Sequence, residues 1–405
     1  MSALAERFAP VLRRIADRAR EHERSGTRPY DEVRELADAG FGAVRLPLDR
    51  GGAGAGVREL FELLIALGEA DSNQPQLWRN HLAFVEDRLL AGSAADPVWV
   101  ERIAAGEVFG GAWSELGSNG LDKVGTRLTR DSDGGVLDGT KYYSTGSIYA
   151  DWISVFALDQ DAAPVIAIIR ADAPGVTLLD DWTGVGQRQT GSGTTVFTGV
   201  QVAPEAIYHF EERVLYQEVV YQLVLLASLV GVGRAARAEL VSAVRERRRN
   251  YPHGLDPEPR RDAQLQAVVG RVSALVTAAE AVVLRAAGLV DPVADALASG
   301  ADPASEEVQR LATEAAIASY EAQVTVTDAI LEATTILFDA LGSSAVLEEA
   351  QLDRHWRNAR TLSSHNPRVY KARVVGDWLL NDASPLRIYE SADERRTREE
   401  ADAAV

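Results

Sequence analysis

The segment HWRNARTLSSHNPRVYK near the C-terminus contains two histidines but no carboxylate in its central turn, SSHNP. Asn366 followed by Pro367 is typical of a helix N-cap and the first helical residue, so we predict that a helix begins there and runs through RVYKARVVGDWLL. His365 would then lie at the positive end of the helix dipole, which favours a neutral imidazole and a nearby anion. The turn could serve catalysis, or it could be only a polar capped turn.

A second candidate site is the segment LWRNHLAFVE, which has the residue pattern of a helix. Trp78 and His81 share one face of such a helix, and Phe84 follows them. Aromatic side chains suit a pocket that stacks on an aromatic ligand, so we predict that Trp78, His81 and Phe84 bind the substrate. A partly buried histidine in a helix interface is the alternative.

The third candidate is KYYSTGS, which is typical of a β-strand. Alternate residues of a strand share a face, so Tyr143, Thr145 and Ser147 should lie together. Packing inside a sheet would explain Tyr143 equally well, but two hydroxyl residues on the same face are less expected in a core. We therefore predict that this face contacts a ligand.

Composition and charge exclude several classes of protein. The 405 residues include 60 acidic and 42 basic side chains, a formal charge of −18, which argues against nucleic acid or an anionic membrane as a partner. There is no cysteine, and the six histidines show neither HxxxH nor HExxH spacing, so we expect no metal site. No apolar run approaches the roughly 20 residues that cross a bilayer, and the N-terminus lacks a signal-peptide core, so we expect a cytoplasmic protein.

The residue pattern changes twice along the chain. Apolar spacing is helical up to about residue 105; short β-branched and aromatic runs between Asp, Gly and Pro turns follow from Val108 to Pro204; long helices return after Glu205. We predict an α+β protein with an N-terminal helical domain (1–107), a middle antiparallel β-domain (108–206), a C-terminal four-helix bundle (207–390) and a disordered tail (391–405).

Three segments in this order resemble the acyl-CoA dehydrogenase superfamily: FGGAWSELGSNG, DGTKYYSTGSIYADW and GVGQRQTGSGTTVFTGVQVAPE. The resemblance implies a flavin between the β-domain and the bundle. It implies that Trp113 and Ser114 present backbone and hydroxyl groups to the pyrimidine edge of the flavin, and that Tyr143 and Thr145 contact the isoalloxazine. In RERRRNYPHG, one of Arg247 to Arg249 would hold the flavin phosphate, and we choose Arg249; a basic helix end that complements its dipole is the alternative.

The resemblance is to the flavin-dependent monooxygenase branch of that superfamily rather than to its dehydrogenases. The dehydrogenase glutamate that abstracts a proton from the thioester substrate corresponds to Asn366, and an amide is not basic near neutral pH. HWRNART followed by a histidine and a proline is similar to the branch that includes dibenzothiophene monooxygenase, and His81 matches a second histidine on an early helix. A further histidine of the dibenzothiophene enzymes corresponds to Leu362, so the resemblance does not support a thiophene-type substrate.

The resemblance implies a two-component monooxygenase, in which a separate NAD(P)H-flavin reductase supplies reduced flavin, FADH2 or FMNH2, as the cofactor. The segment GVGRAARA lies inside a predicted helix rather than after a strand, so it is not a nicotinamide-binding fingerprint. Reaction with O2 would give a C4a-hydroperoxyflavin that oxygenates a small aromatic or heteroaromatic substrate, with His365 sharing a proton with the distal oxygen. We predict His365, His81 and Thr145 as catalytic, and Asn366 and Ser147 as further flavin contacts.

Two alternatives stay open at this stage. One is an acyl-CoA dehydrogenase with a relocated base, for which Glu205, Glu212 and Glu218 are candidates; the other is a non-catalytic helical scaffold of the same fold. The apolar faces of VVYQLVLLASLVGVG and EAAIASYEAQVTVTDAILEATTILF exceed what one bundle needs to bury, and members of the superfamily form tetramers, so we expect a homotetramer.

Overall fold

The computed structural model describes residues 3–90, 96–117 and 124–387, so the predicted tail at 391–405 lies outside the described residues. Helices come first along the chain: α1 (Ala3–Ser25), α2 (Tyr30–Asp38), α3 (Val57–Ala70), α4 (Gln74–Leu90) and α5 (Asp96–Ala104). The first turn of α3 is capped by Glu59, whose carboxylate accepts a hydrogen bond from the N–H of Gly56 at 3.0 Å. Helix α4 is buried along most of its length, and its separate faces contact the core, the sheet and the bundle.

A single sheet follows, with strands β1 (Phe109–Ala112), β2 (Arg127–Asp131), β3 (Gly134–Tyr142), β4 (Trp152–Asp159), β5 (Pro164–Arg170), β6 (Val176–Leu178), β7 (Thr194–Val202) and β8 (Ile207–His209). Their order is β6-β7-β3-β2-β4-β5-β8, and β1 pairs with β4. The prediction of a purely antiparallel sheet is wrong, because β1 and β2 both pair with β4 in parallel. Strand β4 pairs with β2 rather than with β3, the strand that precedes it in the chain. The alternation of apolar and polar residues along single strands does not reveal such a crossover.

The C-terminal part is a helical bundle of α6 (Gln217–Glu246), α7 (Ala263–Gly288), α8 (Asp291–Ala298), α9 (Glu306–Ile336), α10 (Asp353–Ser363) and α11 (Lys371–Asn381). Asp262 caps α7 by accepting hydrogen bonds from the N–H groups of Gln264 and Leu265. The predicted fold class, α+β with helical parts on either side of a central sheet, is confirmed. Strand β8 pairs with β5 beyond residue 206; the domain limits themselves stay predictions.

The apolar surfaces of the bundle are distributed differently from the prediction. Two helical stretches of the described chain, α6 and the span Ala263–Ala298, are long and apolar enough to cross a membrane by length and composition alone, which is weak evidence. The apolar window of α6 is 89% buried, whereas only 22% of the window in Ala263–Ala298 is buried. The apolar residues of α6 and α9 are largely buried within one chain, so these faces alone do not require an oligomer, and the homotetramer stays a prediction. Helix α7 instead leaves small residues exposed: Ala267, Gly270, Ala274, Ala278 and Ala281.

Candidate active site

Helix α4 directs Trp78 and His81 into the core of the protein rather than into a pocket. Each is only 1% exposed, and the two rings meet edge to face at 5.1 Å. Nδ1 of His81 accepts a hydrogen bond from the N–H of Phe109 at 3.2 Å, so Nε2 carries the proton and donates to the carbonyl of Gly42 at 3.0 Å. Burial lowers the pKa of His81 to about 4. With both nitrogens bonded to backbone, His81 joins α4 to neighbouring segments, which favours the alternative of a buried histidine in an interface over its predicted catalytic and substrate-binding roles.

The neighbouring face of α4 borders a small enclosed cavity between the sheet and the start of α6. Phe84, predicted to bind the substrate, contributes to its wall, whereas Trp78 does not. The cavity is lined by Asn80, Phe84, Asp87, Arg88, Trp113, Ser154, Ile166, Ile168, Tyr208, His209, Arg213, Gln217 and Tyr221. Sequence periodicity identified the helix correctly but assigned the pocket to the wrong face of it.

The chain after β1 is held by a buried ion pair. Nζ of Lys141, a residue with 0% exposure, lies 2.8 Å from Oε1 of Glu115 and donates to the carbonyl of Trp113 at 3.2 Å. Glu115 also accepts hydrogen bonds from the N–H groups of Gly125 and Thr126 and from the Thr126 hydroxyl. Burial lowers the pKa of Lys141 to about 8, against the opposing effect of Glu115. The pair fixes the backbone at Trp113 and Ser114, two predicted flavin contacts.

The segment after β3 does not continue as a strand, so the predicted common face of Tyr143, Thr145 and Ser147 does not exist. Strand β3 ends at Tyr142, and Tyr143 has a φ of +67°, a conformation that is strained for a bulky residue. Tyr143 is 48% exposed, whereas Thr145 and Ser147 are buried. The Thr145 hydroxyl pairs with the Ser192 hydroxyl at 2.8 Å, and the Ser147 hydroxyl donates to the carbonyl of Gly111 at 3.4 Å.

The turn at His365 lies at the end of one helix rather than at the start of the next. Helix α10 ends at Ser363, a single turn of 3-10 helix covers Arg368–Tyr370, and α11 begins only at Lys371. The prediction that Asn366 caps a helix is wrong, because its side chain donates instead to Oε1 of Gln222 on α6 at 2.7 Å. His365 is an exposed residue at the negative end of α10, opposite to the expected dipole. His355, in contrast, is buried and bonded to Glu239.

His365 is nevertheless held neutral, through a cause other than the predicted one. Its Nε2 lies 3.0 Å from Nη1 of Arg79. Desolvation by the protein atoms around the ring, and then the positive charge of Arg79, lower the pKa of His365 to about 3. Arg79 is half-buried, donates to the carbonyl of Tyr221 at 3.1 Å and lies 4.6 Å above the ring of Tyr221.

The described residues link most of the predicted site into one region. Tyr221 connects the part of the region around Trp113 with the part around His365. Its ring is 6.0 Å from that of Trp113, and it also contacts Arg79 beside His365. Asn80 donates to the carbonyl of Thr145 at 3.0 Å. Gly111 packs against the same side chain, since a Cβ added at Gly111 would lie 2.5 Å from Cγ of Asn80. Arg79 and Asn80 were not predicted as site residues, although both belong to LWRNHLAFVE. Polar residues beside the Trp78 and His81 face of a buried helix are the signal that could have indicated them.

Arg249 is not part of this region. Helix α6 carries Tyr221 near its start and ends at Glu246, 246 − 221 = 25 residues further on, which corresponds to about 38 Å. Arg249 is exposed in the loop after that end, where Arg247 donates to the carbonyls of Ala340 and Leu341. Arg249 is therefore far from a ligand bound near His365 of the same chain, and the predicted phosphate contact stays a prediction.

The chemistry of the region fits the expected flavin. An isoalloxazine needs an apolar or aromatic wall and polar groups for its pyrimidine edge, and reduced flavin adds a negative charge. Trp113 and Tyr143 are aromatic residues that keep accessible surface, Ser114 is exposed, and Arg79 supplies a positive charge beside a neutral His365. The strained backbone of Tyr143 is of the kind found at ligand-binding positions.

Comparison with known proteins agrees with this fit. A family model described as "Acyl-CoA dehydrogenase, C-terminal domain" matches residues 223–367. Dibenzothiophene monooxygenase of Rhodococcus erythropolis is 29% identical over 400 residues, covering 93% of this chain and 94% of the relative. A probable FMNH2-dependent monooxygenase, SfnC, of Pseudomonas putida is 25% identical over 381 residues, covering 92% and 93%.

Solved structures show the same relationship along nearly the whole chain. TdsC of Paenibacillus sp. A11-2, in a complex with FMN and indole, superimposes with a TM-score of 0.86 at 26% identity, covering 95% of this chain and 99% of that one. Methanesulfinate monooxygenase MsuC of Pseudomonas fluorescens gives a TM-score of 0.86 at 25% identity, covering 96% and 100%. The chain is thus similar along nearly its whole length to flavin-dependent monooxygenases of the acyl-CoA dehydrogenase fold.

Proposed function

We propose that this chain is the oxygenase of a two-component system, which receives reduced flavin from a separate NAD(P)H-flavin reductase and oxygenates a small aromatic or heteroaromatic substrate. Bound reduced flavin would supply the activation of O2, as a C4a-hydroperoxide, and the transfer of one oxygen atom. FMN in the TdsC complex and FMNH2 in the name of the Pseudomonas putida relative support reduced FMN as the form used.

The observation that carries the proposal is the His365 turn. At the position where a dehydrogenase needs a carboxylate base, this chain has an amide, and the neighbouring imidazole is neutral beside an arginine. Neither group can remove a proton from a carbon acid near neutral pH, but a guanidinium placed by a neutral ring can hydrogen-bond an oxygen-centred anion. Trp113 and Tyr143 would line the ring system, and Ser114 its polar edge.

The dehydrogenase alternative loses its best candidate base. Of Glu205, Glu212 and Glu218, only Glu218 lies at the start of α6 near Tyr221, and its carboxylate pairs with Arg213 at 2.9 Å. Glu205 is exposed, and Glu212 accepts a hydrogen bond from the N–H of His209. The carboxylate of Glu218 is thus already engaged in an ion pair with Arg213.

The substrate class rests on two features. Trp113, Phe84 and Tyr221 place aromatic side chains beside the proposed flavin position, where they could stack on an aromatic substrate. The TdsC neighbour is solved with indole, a small heteroaromatic compound. For assembly, the small-residue face of α7 is the surface that we propose to pack against other copies in a homotetramer, and we propose a cytoplasmic location.

The proposal is tested by anaerobic titration with reduced and oxidised FMN, followed by mixing with 18O2 and indole. We expect tighter binding of reduced FMN, one labelled oxygen atom in the product, and no oxidation of NAD(P)H without a reductase. His365→Ala should divert oxygen to hydrogen peroxide, with about 10- to 150-fold faster loss of the productive state, because Arg79 loses the ring that positions its charged donor.

Two results would overturn the proposal. Tightly bound oxidised FAD that is bleached by acyl-CoA would identify a dehydrogenase. A chain that binds neither oxidised nor reduced flavin would be a scaffold.

A further inference from the structure

Four side chains from two helices and the turn form one continuous line of hydrogen bonds. Nη1 of Arg79 is 3.0 Å from Nε2 of His365, and Nδ1 of His365 is 3.2 Å from Oδ1 of Asn366. Nδ2 of Asn366 is 2.7 Å from Oε1 of Gln222. Amide orientations and imidazole tautomers are normally ambiguous in such a line, because each group can both donate and accept.

Arg79 removes that ambiguity, because a guanidinium can donate but cannot accept. Nε2 of His365 must therefore accept, and the single proton of the neutral ring must be on Nδ1. The atom of Asn366 that faces Nδ1 must then be its oxygen, so its amide nitrogen donates to Gln222. One arginine thus determines the direction of every hydrogen bond in the line.

Arg79 is itself firmly placed. Its Nε donates to the carbonyl of Tyr221, and its guanidinium lies over the ring of that residue. Among the described residues, Arg79 is the charged group that acts on the pKa of His365. A protonated His365 would put two positive charges 3.0 Å apart and would remove the lone pair of Nε2 that accepts from Arg79.

We propose that Arg79 is the positioning residue of this site: it holds His365 as the Nδ1–H tautomer and carries the positive charge that the cleft presents to an anionic ligand. The imidazole in this state has no proton on Nε2, so the proton donor at the Arg79 end is the guanidinium. The identification of the anion as reduced flavin rests on the proposed function, whereas the tautomer of His365 does not.

The tautomer can be read directly by magic-angle-spinning NMR of flavin-free protein labelled with 15N-histidine. His365 is assigned by its loss in His365→Gln. His81 is an internal control within the same spectrum, since its bonds to Phe109 and Gly42 require the opposite, Nε2–H tautomer. We expect His365 with the proton on Nδ1 and His81 with the proton on Nε2, both neutral at pH 7.

Two variants of Arg79 separate its effect on the His365 tautomer from the identity of the charged side chain. Arg79→Met should populate the Nε2–H form of His365 and raise its pKa toward 6.5, while the His81 signals stay unchanged. Arg79→Lys keeps a charged donor and should retain the parent tautomer. A parent spectrum with His365 as Nε2–H, or an Arg79→Met variant with unchanged His365 tautomer and pKa, overturns the inference. The parent spectrum decides the first point even if Arg79→Met fails to fold.

The charge is tested by anaerobic titration with reduced and oxidised FMN. Arg79→Met should lose about 10- to 150-fold in affinity for reduced FMN and much less for oxidised FMN, and Arg79→Lys should recover part of the loss. An equal loss for both forms would show that Arg79 does not face the anion. If the parent binds no flavin but His365 is Nδ1–H, the proposed function fails and the tautomer assignment stands.

Discussion

The ion pair of Lys141 and Glu115 should be one of the most sensitive positions of the site region. At 2.8 Å and an effective dielectric constant of 20, the two charges attract each other by about 6 kcal/mol. Desolvation of the fully buried ammonium offsets most of this, so the pair adds little net stability, whereas removal of one partner leaves a buried charge and costs about 3–5 kcal/mol.

The two single variants should differ in a defined way. Lys141→Met leaves Glu115 with the hydrogen bonds from Gly125 and Thr126, so its cost should lie near 3 kcal/mol. Glu115→Gln leaves the ammonium of Lys141 buried without a carboxylate, so its cost should lie near 5 kcal/mol. The double variant should cost less than the sum of the two.

Urea denaturation of flavin-free protein gives these free energies, and titration with reduced FMN shows whether the backbone at Trp113 has lost its support. The folded-state pKa of Lys141 lies below 10.5, so the unfolded state binds more protons between the two values and stability rises with pH; this rise should be steeper in Glu115→Gln. Lys371→Met is the control, since this buried lysine packs against the ring of Tyr320 instead of a carboxylate. A loss below about 1 kcal/mol in both single variants would refute the reasoning.

Two further predictions follow from the same region. His81→Phe should lower the free energy of unfolding by roughly 2–5 kcal/mol, because the N–H of Phe109 and the carbonyl of Gly42 lose their partner, while reduced-FMN affinity per folded molecule stays unchanged; a lost affinity would restore His81 to the site. Its folded-state pKa of about 4 lies below that of the unfolded chain, so stability is lost as pH falls from 6.5 to 4, and denaturation of His81→Phe should show a shallower slope over that range. Gly111→Ala should weaken flavin binding, since its Cβ would lie 2.5 Å from Asn80. Gly376→Ala in α11 has free space and should stabilise the folded protein by up to about 1 kcal/mol in thermal denaturation. Equal behaviour of the two variants would refute the packing argument.

The sequence predicted the order and type of the elements because their signals are local. Apolar periodicity marks α6 and α9 over many turns, and short β-branched runs mark the strands. What it missed depends on contacts between distant segments. Asn366 has the local pattern of a cap, but Gln222 on another helix takes its side chain. The face of α4 that holds His81 has the same residue pattern whether it lines a substrate pocket or packs in the core. Only the positions of Phe109 and Gly42 place it in the core.

The lowered pKa of His365 has a cause other than the predicted one. The helix start expected to disfavour its charge is not there, and the end of α10 would by itself favour the imidazolium. Crowding of the ring and the charge of Arg79 outweigh that effect. Arg79 is 286 positions away from His365 along the chain, so the residues around His365 could not have indicated it.

The left-handed backbone of Tyr143 has a consequence for directed evolution of this protein. A bulky residue at a φ of +67° costs on the order of 1–3 kcal/mol, and glycine or asparagine would relieve much of it. A library selected only for thermal tolerance should therefore enrich glycine and asparagine at this position and lose the aromatic ring. A library selected for turnover should keep tyrosine and gain its stabilising changes elsewhere. The position thus offers a sequencing readout of which of the two properties a selection has rewarded.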